Sequence, residues 1–566
     1  MRFLPAATLL LAFPLLARQE PVPDQPFAES IDVSVANVEV YVTDRSGQPA
    51  RGLSRDDFQL FIDGKPVTIV NFAEVAEGSR VAEPELAVAT EPAPEPVQAA
   101  PAPPPADALS LVVYVDNDNL RPFGRNRVLR QLQGFLDSMV GPRDRVMVVT
   151  HEQGVNVRRP LSAGRESLAA DLKKLERLAT RGVQQDSQLR STLQLVRDLG
   201  CERLDEAQQV ARGYAQGVSA DARTTLNSLA SVVESLSGIE GRKAVLYVSD
   251  GIAMHPGEEV FGVMAEMCGD NPSFKTEDLL TPFRKLTRLA NANGVTFYTL
   301  ESAGVRNLSS VSAEDPRPML STNLDLGKTA DVQDSLFNLA SETGGRAILN
   351  ANDIKPELAR VAGDLRSYYS LGYSPERSGD GRVHAIEVKV KREGLRVRNR
   401  TTYTNRPREE RLAARVQTAL LHGIVDNPLE AGLELVSSEP AGRGQHLVTL
   451  RVKLPLKQLV LLSQGDVWTG QLTLWIGARD AAGRVAPVQS VHVPVRIPAP
   501  PGKDQLAVSH FAYDMRMRMA ERGDQTVAVG IQDDLGHTTS FITGAFRVDR
   551  KGVTVASSPG PSSPGH

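Results

Sequence analysis

Along the chain the apolar positions fall into three regimes. Over residues 31–42 they alternate (Val33, Val35, then Val38, Val40, Val42), the period of a half-buried strand, and Phe58-Gln-Leu-Phe-Ile62 before Asp63-Gly64 predicts a second strand and a hairpin turn. This N-terminal β region is placed at 28–80. From Leu109 the pattern changes to unbroken apolar runs alternating with helical spacing. Strands are expected at 109–115, 144–150, 244–248 and 295–300, and helices near 125–139, 167–178, 222–236, 279–292, 332–342 and 353–367. Such alternation implies an α/β fold with a mostly parallel sheet and helices on both faces, covering 108–367. The charged, Gln-rich stretch near 181–220 is too long for a tight connection and reads as a helical insertion. Alternation of period two returns at 368–403. Because the strands of 28–80 are too few to bury a core alone, that β extension is expected to pack with them. A helix from about 409 then leads into strands at 446–454, 471–478, 491–497, 526–532 and 540–548, a C-terminal β-sandwich-like domain over 409–550.

Composition sharpens the boundaries. Residues 1–17 carry Arg2 and then an apolar run ending before Arg18-Gln19-Glu20, the layout of a signal peptide, while Pro5 and Pro14 argue against a buried helix. No cysteine follows the run, so no lipid anchor is indicated. No later segment reaches the ~18 apolar residues of a membrane-spanning helix. The mature chain is expected to be exported, periplasmic or secreted, with no membrane span after signal removal. Residues 81–107 are a Pro/Ala-rich linker, and 551–566 a Ser/Pro/Gly tail expected to be disordered. The chain has 566 residues; Lys plus Arg 64 against Asp plus Glu 68 leaves a net charge of −4, which gives no electrostatic case for nucleic acid. The basic run Leu395-Arg-Val-Arg-Asn-Arg400 alternates with apolar residues and reads as a solvated strand face. Export supplies an oxidising compartment, in which the two cysteines of the chain, Cys201 and Cys268, are expected to pair.

Searches for catalytic chemistry return little. There is no phosphate loop, no paired-Cys zinc spacing and no Gly-x-Ser-x-Gly elbow, and His151-Glu152 lacks the second histidine of a zinc-protease helix. The expectation is therefore not an enzyme. Asp44-Arg-Ser-Gly47, Asp480-Ala-Ala-Gly483 and Asp533-Asp-Leu-Gly536 read as turns braced by an Asp rather than calcium loops. Two strand ends stand out, Val115-Asp116-Asn117-Asp118 and Val248-Ser249-Asp250-Gly251. Ligands of open parallel sheets gather outside the carboxyl ends of the strands, and hard cations such as magnesium, calcium or manganese take oxygen ligands from separate loops. Asp116 and Asp250 capping the following helices is the competing reading.

These residues resemble a von Willebrand factor type A domain. Over about Ile31 to Tyr403 the chain resembles the type A-related proteins of the Acidobacteria, through Val-Glu-Val-Tyr-Val-Thr-Asp-Arg-Ser-Gly-Gln-Pro49, Gly52-Leu-Ser-Arg-Asp-Asp-Phe58 and Tyr368-Tyr-Ser-Leu-Gly-Tyr373. The resemblance implies a type A-like domain with flanking β regions and a metal-ion-dependent adhesion site of the form Asp-x-Ser-x-Ser plus a loop Thr and a later Asp. Here the motif stands as Asp116-Asn117-Asp118-Asn119-Leu120, with Asp250 as the later Asp and Thr180 the nearest match for the Thr. An acid replaces the first Ser and an apolar residue the second, so the resemblance implies a degenerate site that binds Mg2+ or Ca2+ weakly or not at all. Three carboxylates there would invite either a metal or a basic neighbour. The expected function is an exported, non-catalytic protein-binding module of the adhesion type with an unknown protein partner. A cell-envelope scaffold with a metal-free type A domain is the alternative.

Overall fold

In a computed structural model the described residues are 35–76, 79–82, 108–269, 279–305, 320–375, 379–442, 444–464, 466–498, 509–519, 522–549 and 552–556. The expected leader at 1–17, most of the linker (83–107) and the end of the tail (557–566) lie outside them. The described residues form two compact units, one ending at Pro407 and one beginning at Arg408.

The first unit opens with β1 (Ala36–Thr43), β2 (Phe58–Ile62), β3 (Lys65–Val67), β4 (Asn71–Ala76) and β5 (Ser79–Ala82). It closes with β12 (Ser367–Tyr373), β13 (Val383–Val390), β14 (Arg396–Asn399) and β15 (Thr402–Thr404). The two groups interleave. Among the described residues one sheet has the order β14-β1-β12-β4-β5 and a second the order β15-β13-β2-β3. Antiparallel register sets Val40 against Tyr369 and Leu60 against Val388. Val38, Val40 and Val42 from the first sheet and Phe58, Leu60, Ile62, Ile386 and Val388 from the second bury into one core.

Between these groups lies the α/β part: β6 (Leu109–Asp116), α1 (Pro122–Met139), β7 (Arg145–His151), β8 (Val155–Ala163), α2 (Leu168–Leu175), α3 (Gly182–Leu199), α4 (Leu204–Ser235), β9 (Arg242–Val248), α5 (Glu258–Cys268), α6 (Leu280–Ala292), β10 (Val295–Leu300), α7 (Thr322–Glu342), β11 (Ala347–Ile348) and α8 (Lys355–Arg366). The sheet order is β11-β10-β9-β6-β7-β8, parallel except for the β7–β8 edge pair. All eight residues of β6 are buried, which is why its sequence does not alternate. Leu111, Val113 and Val115 face apolar residues of α1, α2 and α8, while α6 and α7 pack on β10. The stretch 181–220 is a helical hairpin, α3 and the first half of α4, and α4 runs on without a break into the helix expected at 222–236. A disulfide joins Cys201 to Cys268, Cα atoms 5.6 Å apart, tying the α3–α4 connection to the end of α5.

The second unit begins with α9 (Arg408–His422) and continues as β16 (Gly432–Pro440), β17 (His446–Pro455), β18 (Leu462–Gln464), β19 (Val467–Arg479), β20 (Gln489–Pro498), β21 (His510–Met519), β22 (Gly523–Asp533), β23 (Thr539–Val548) and β24 (Val553–Val555). A sheet β16-β17-β21 faces a sheet β18-β19-β22-β23-β24, with β20 on β19. Leu450 and Val452 of one sheet meet Leu474, Val495 and Val529 of the other. The apolar stripe of α9 (Leu412, Val416, Ala419, Leu420) covers Trp475, Ala528 and Phe541. β24 corrects the expectation of a disordered tail from 551: Val553 is buried and Phe546–Val548 supply the ladder, so composition misplaces the boundary by a few residues.

Candidate functional site

Four parallel strands end at one level. Asp116 lies opposite His151 in register, and Val248 opposite both Val115 and Leu300, so Ser249-Asp250 and Glu301-Ser302 leave the sheet beside Asp116. The short helical turn Asn117–Asn119 then leads to Leu120 and to α1, which starts with Pro122. Two glycines permit close approach here. A Cβ on Gly124 would sit 2.4 Å from the Ser302 carbonyl oxygen, and one on Gly182 would sit 2.6 Å from that of Leu120. The ends of β6, β10 and the start of α3 are thereby drawn together.

Asp116 is fully buried. Its Oδ2 accepts from Tyr247 Oη (2.7 Å), Ser249 Oγ (2.9 Å) and Asn119 Nδ2 (2.9 Å), while Oδ1 has no hydrogen-bond partner. Burial pushes the Asp116 carboxyl above its ordinary range; His151 and the three donors oppose that rise without cancelling it. Burial, aided by the Asp116 charge, likewise raises the phenols of Tyr247 and Tyr114; Tyr247 donates to Asp116, while the buried Tyr114 hydroxyl has no hydrogen-bond partner among the described residues.

Asp118 turns toward the β7–β8 connection. Its Oδ2 accepts from the Gln153 backbone N–H (2.8 Å) and lies 3.5 Å from both His151 Nε2 and Arg181 Nη1. Asp250 is held by Ser302, whose N–H and hydroxyl donate to Oδ1 (3.0 and 2.8 Å), and by Arg121, which donates to Oδ2 at 3.3 Å. Arg121 also forks onto Asp186 of α3 at 2.7 and 2.8 Å. Arg125, buried in the same layer, donates to Asn117 Oδ1 and to the carbonyls of Leu178 and Glu176, fixing the loop that carries Thr180. The Thr180 hydroxyl oxygen is buried without a partner.

The fold thus gathers the four residues singled out in the sequence around one turn, but gives each acid its own neighbours. Among the described residues no three His, Cys, Asp or Glu side chains are placed to hold a metal ion. The orphaned oxygens of Asp116 and Thr180 suit a hard cation; the rest of the surroundings do not. Arg121 and Arg181 stand against Asp250 and Asp118, and Leu120 is fully buried in the apolar core instead of offering an oxygen. A divalent ion of the adhesion-site kind does not fit this donor set. The sequence reading missed Arg121, Arg125, Arg181, His151 and Ser302. Two of them carry a sequence signal, since His151 and Ser302 also follow apolar strand runs whose ends fall level with Asp116.

No family model matches the chain, and no curated protein does. Among solved structures it is similar to an aerotolerance-related membrane protein from Bacteroides fragilis (9% identity, 46% of this chain and 98% of that one, TM-score 0.24). It is also similar to manganese-loaded TRAP protein of Plasmodium vivax (8%, 52% and 93%, 0.21). A third is proximal thread matrix protein 1 of the mussel byssus with a zinc-occupied MIDAS motif (13%, 46% and 48%, 0.20); the chain spans about half the length of that protein. These likenesses are too slight to carry a conclusion about this chain. No helix of the described residues is long and apolar enough to cross a membrane.

Proposed function

We propose that the chain is an exported, non-catalytic protein-binding module that engages its partner through the carboxyl end of the parallel sheet without a bridging metal. The observation that carries this is a set of bare apolar side chains on the helix starts and loop around the clasped carboxylates. Phe123, the second residue of α1, is 78% exposed, and Val183 and Val305 are each 55% exposed. All three stand on segments bound to the 120–127 turn. Gly182 donates its N–H to the Leu120 carbonyl, and Arg127 donates to the Ser302 carbonyl and to Asn352, which also accepts the Val305 N–H. Exposed aromatic and aliphatic residues beside an arginine make the composition of an interface centre, not of a solvated loop.

The acids support the metal-free part of the reading. With Arg121 and Arg181 balancing Asp250 and Asp118, an added cation would have to displace a guanidinium before it met a carboxylate. The non-catalytic part is supported by Tyr247 and Ser249, which lie fully buried as donors to Asp116, out of reach of any substrate. Export is supported by the Cys201–Cys268 disulfide.

The test is affinity capture from a cell-envelope extract by the mature chain, in magnesium and in chelator. The same proteins are expected in both, and Phe123→Asp with Val183→Asp is expected to lose them while leaving the unfolding midpoint unchanged. Capture released by chelator, or untouched by the double substitution, would sink the reading.

A further inference from the structure

The second unit carries a cleft of about 880 Å³, within the size range of small-molecule sites. Its floor is the outer face of β20, β19 and β22. Register places Arg496 beside Thr469, and His492, Thr473 and Gln532 in one row across the three strands. Arg408, Glu409 and Leu412 from the first turn of α9 and Leu462 from β18 form part of its walls.

We propose that this cleft binds a neutral saccharide chain. Four observations point there. First, the ionisable side chains in the lining balance apart from His492: Arg408 and Arg496 stand against Glu409 and Asp534, so the site does not select an anion or a cation. Second, the lining mixes donors and acceptors at close spacing. Thr473 Oγ1 lies 2.9 Å from Asp534 Oδ2 and 2.9 Å from His492 Nδ1, and Gln532 Nε2 donates to Asp534 Oδ1 at 3.0 Å. With the Thr473 proton given to the carboxylate, His492 donates through Nδ1, and in the neutral imidazole Nε2 is then an acceptor. Hydroxyl groups both give and accept, which this mixture matches.

Third, Gln532 is 7% exposed, and its Oε1 is buried without a hydrogen-bond partner. A buried acceptor left unmade is costly, and a ligand hydroxyl would satisfy it. Fourth, β19 at the centre of the floor is paired on both sides, so its backbone groups are spent within the sheet, and among the described residues the open edge there is that of β20. Recognition over the floor comes from side chains, with Leu462 and Leu535 offering apolar surface to the C–H face of a sugar ring. The site lies wholly in the second unit and does not depend on the partner-binding reading above.

The experiment is calorimetric titration of the mature chain with soluble cello-, malto-, xylo- and chito-oligosaccharides, repeated on His492→Ala, Gln471→Ala and Gln532→Met. His492 and Gln471 are exposed, so their variants keep the fold even if Gln532→Met does not. At least one sugar is expected to bind, with affinity falling roughly tenfold in each folded variant, the scale of one lost hydrogen bond. The proposal is overturned if none of the four binds, if binding ignores the substitutions, or if a random heptapeptide library binds at the cleft in their place.

Discussion

Strand β9 begins at Arg242 and ends beside Asp250, and its two ends bury charge in opposite ways. At the amino end the Arg242 guanidinium is ringed by acceptors: the carbonyls of Leu365 and Asp364, and Tyr41 Oη at 3.0 Å. Its plane lies 4.1 Å over the Tyr368 ring, and Glu39 sits 3.7 Å from Nε. Burial alone would lower its pKa, yet Tyr41 and Glu39 carry it above the ordinary arginine value; Arg242 and Arg400 in turn hold Glu39 below the carboxylate range despite its burial. At the carboxyl end Asp116 collects three donors on one oxygen and none on the other, and burial wins. A guanidinium spreads its charge over three nitrogens and an aromatic face, so many weak partners suffice. A carboxylate concentrates its charge and is left short when one oxygen goes unmet. The amino end is a joint between β1, β9 and β12, built to stay charged and fixed. The carboxyl end is incompletely satisfied, and it is the end whose loops carry the bare apolar residues.

The largest effect that would break this contrast is at Arg242. Arg242→Met leaves Glu39 without its nearest cation, and denaturant unfolding is expected to show a loss of about 3 kcal/mol or more. A loss under ~1 kcal/mol would mean the joint is not held by charge. Tyr41→Phe removes one hydrogen bond to that cation and is expected to cost about 2 kcal/mol in the same measurement.

Asp116 should behave the opposite way. Its pKa is raised in the folded state, so the native chain takes up this proton before the unfolded chain does, and stability falls as pH rises through the native pKa. Asp116→Asn removes that ionisation. The stability of the variant relative to the parent is expected to improve as pH rises above about 4, the ordinary carboxyl range; a difference that stays flat with pH would show that burial of this acid costs nothing. The smallest expected effect on stability is at the two arginines facing the acids. Arg121→Ser with Arg181→Ser should change it by ~1 kcal/mol or less, because both side chains are partly exposed. The parent is expected to show no calorimetric binding of magnesium, calcium or manganese tighter than about 1 mM. The double variant is expected to gain it, and tight binding by the parent would refute the exclusion of metal by arginine.

The legible parts of this molecule are those written locally. The run Leu109–Val115 is a buried central strand because no polar residue interrupts it until Asp116. The Asp-braced turns follow from side chains reaching their own backbone: Asp44 accepts the Gln48 N–H, and Asp480 the N–H groups of Ala482 and Arg484. In both turns the glycine has positive φ, whereas in the third the positive φ falls on His537 and not on Gly536. The cysteine pair needed only a count of two and an oxidising compartment. A basic neighbour was one of the two outcomes expected for the acids, but which residues supply it was not legible. Arg121 is next to Leu120 in sequence, but its charge goes to Asp186 and to Asp250, 129 residues away, and no periodicity encodes that. α5 and β21 were missed for a related reason, since α5 packs on α3 and α7 and β21 pairs with β17, all distant in sequence.

The interleaved β strands have a consequence in time. The Leu53 N–H is held by the Tyr369 hydroxyl, 316 residues downstream, and β1 lies between β12 and β14. A ribosome adding about 5–20 residues per second delivers β12 roughly 15–60 s after β1. Throughout that interval β1 lacks both strand neighbours and β2 has β3 alone, and they wait beside a central part that can fold ahead of them. Until synthesis nears its later stages the nascent chain therefore presents open strand edges, which must be kept from pairing with its copies.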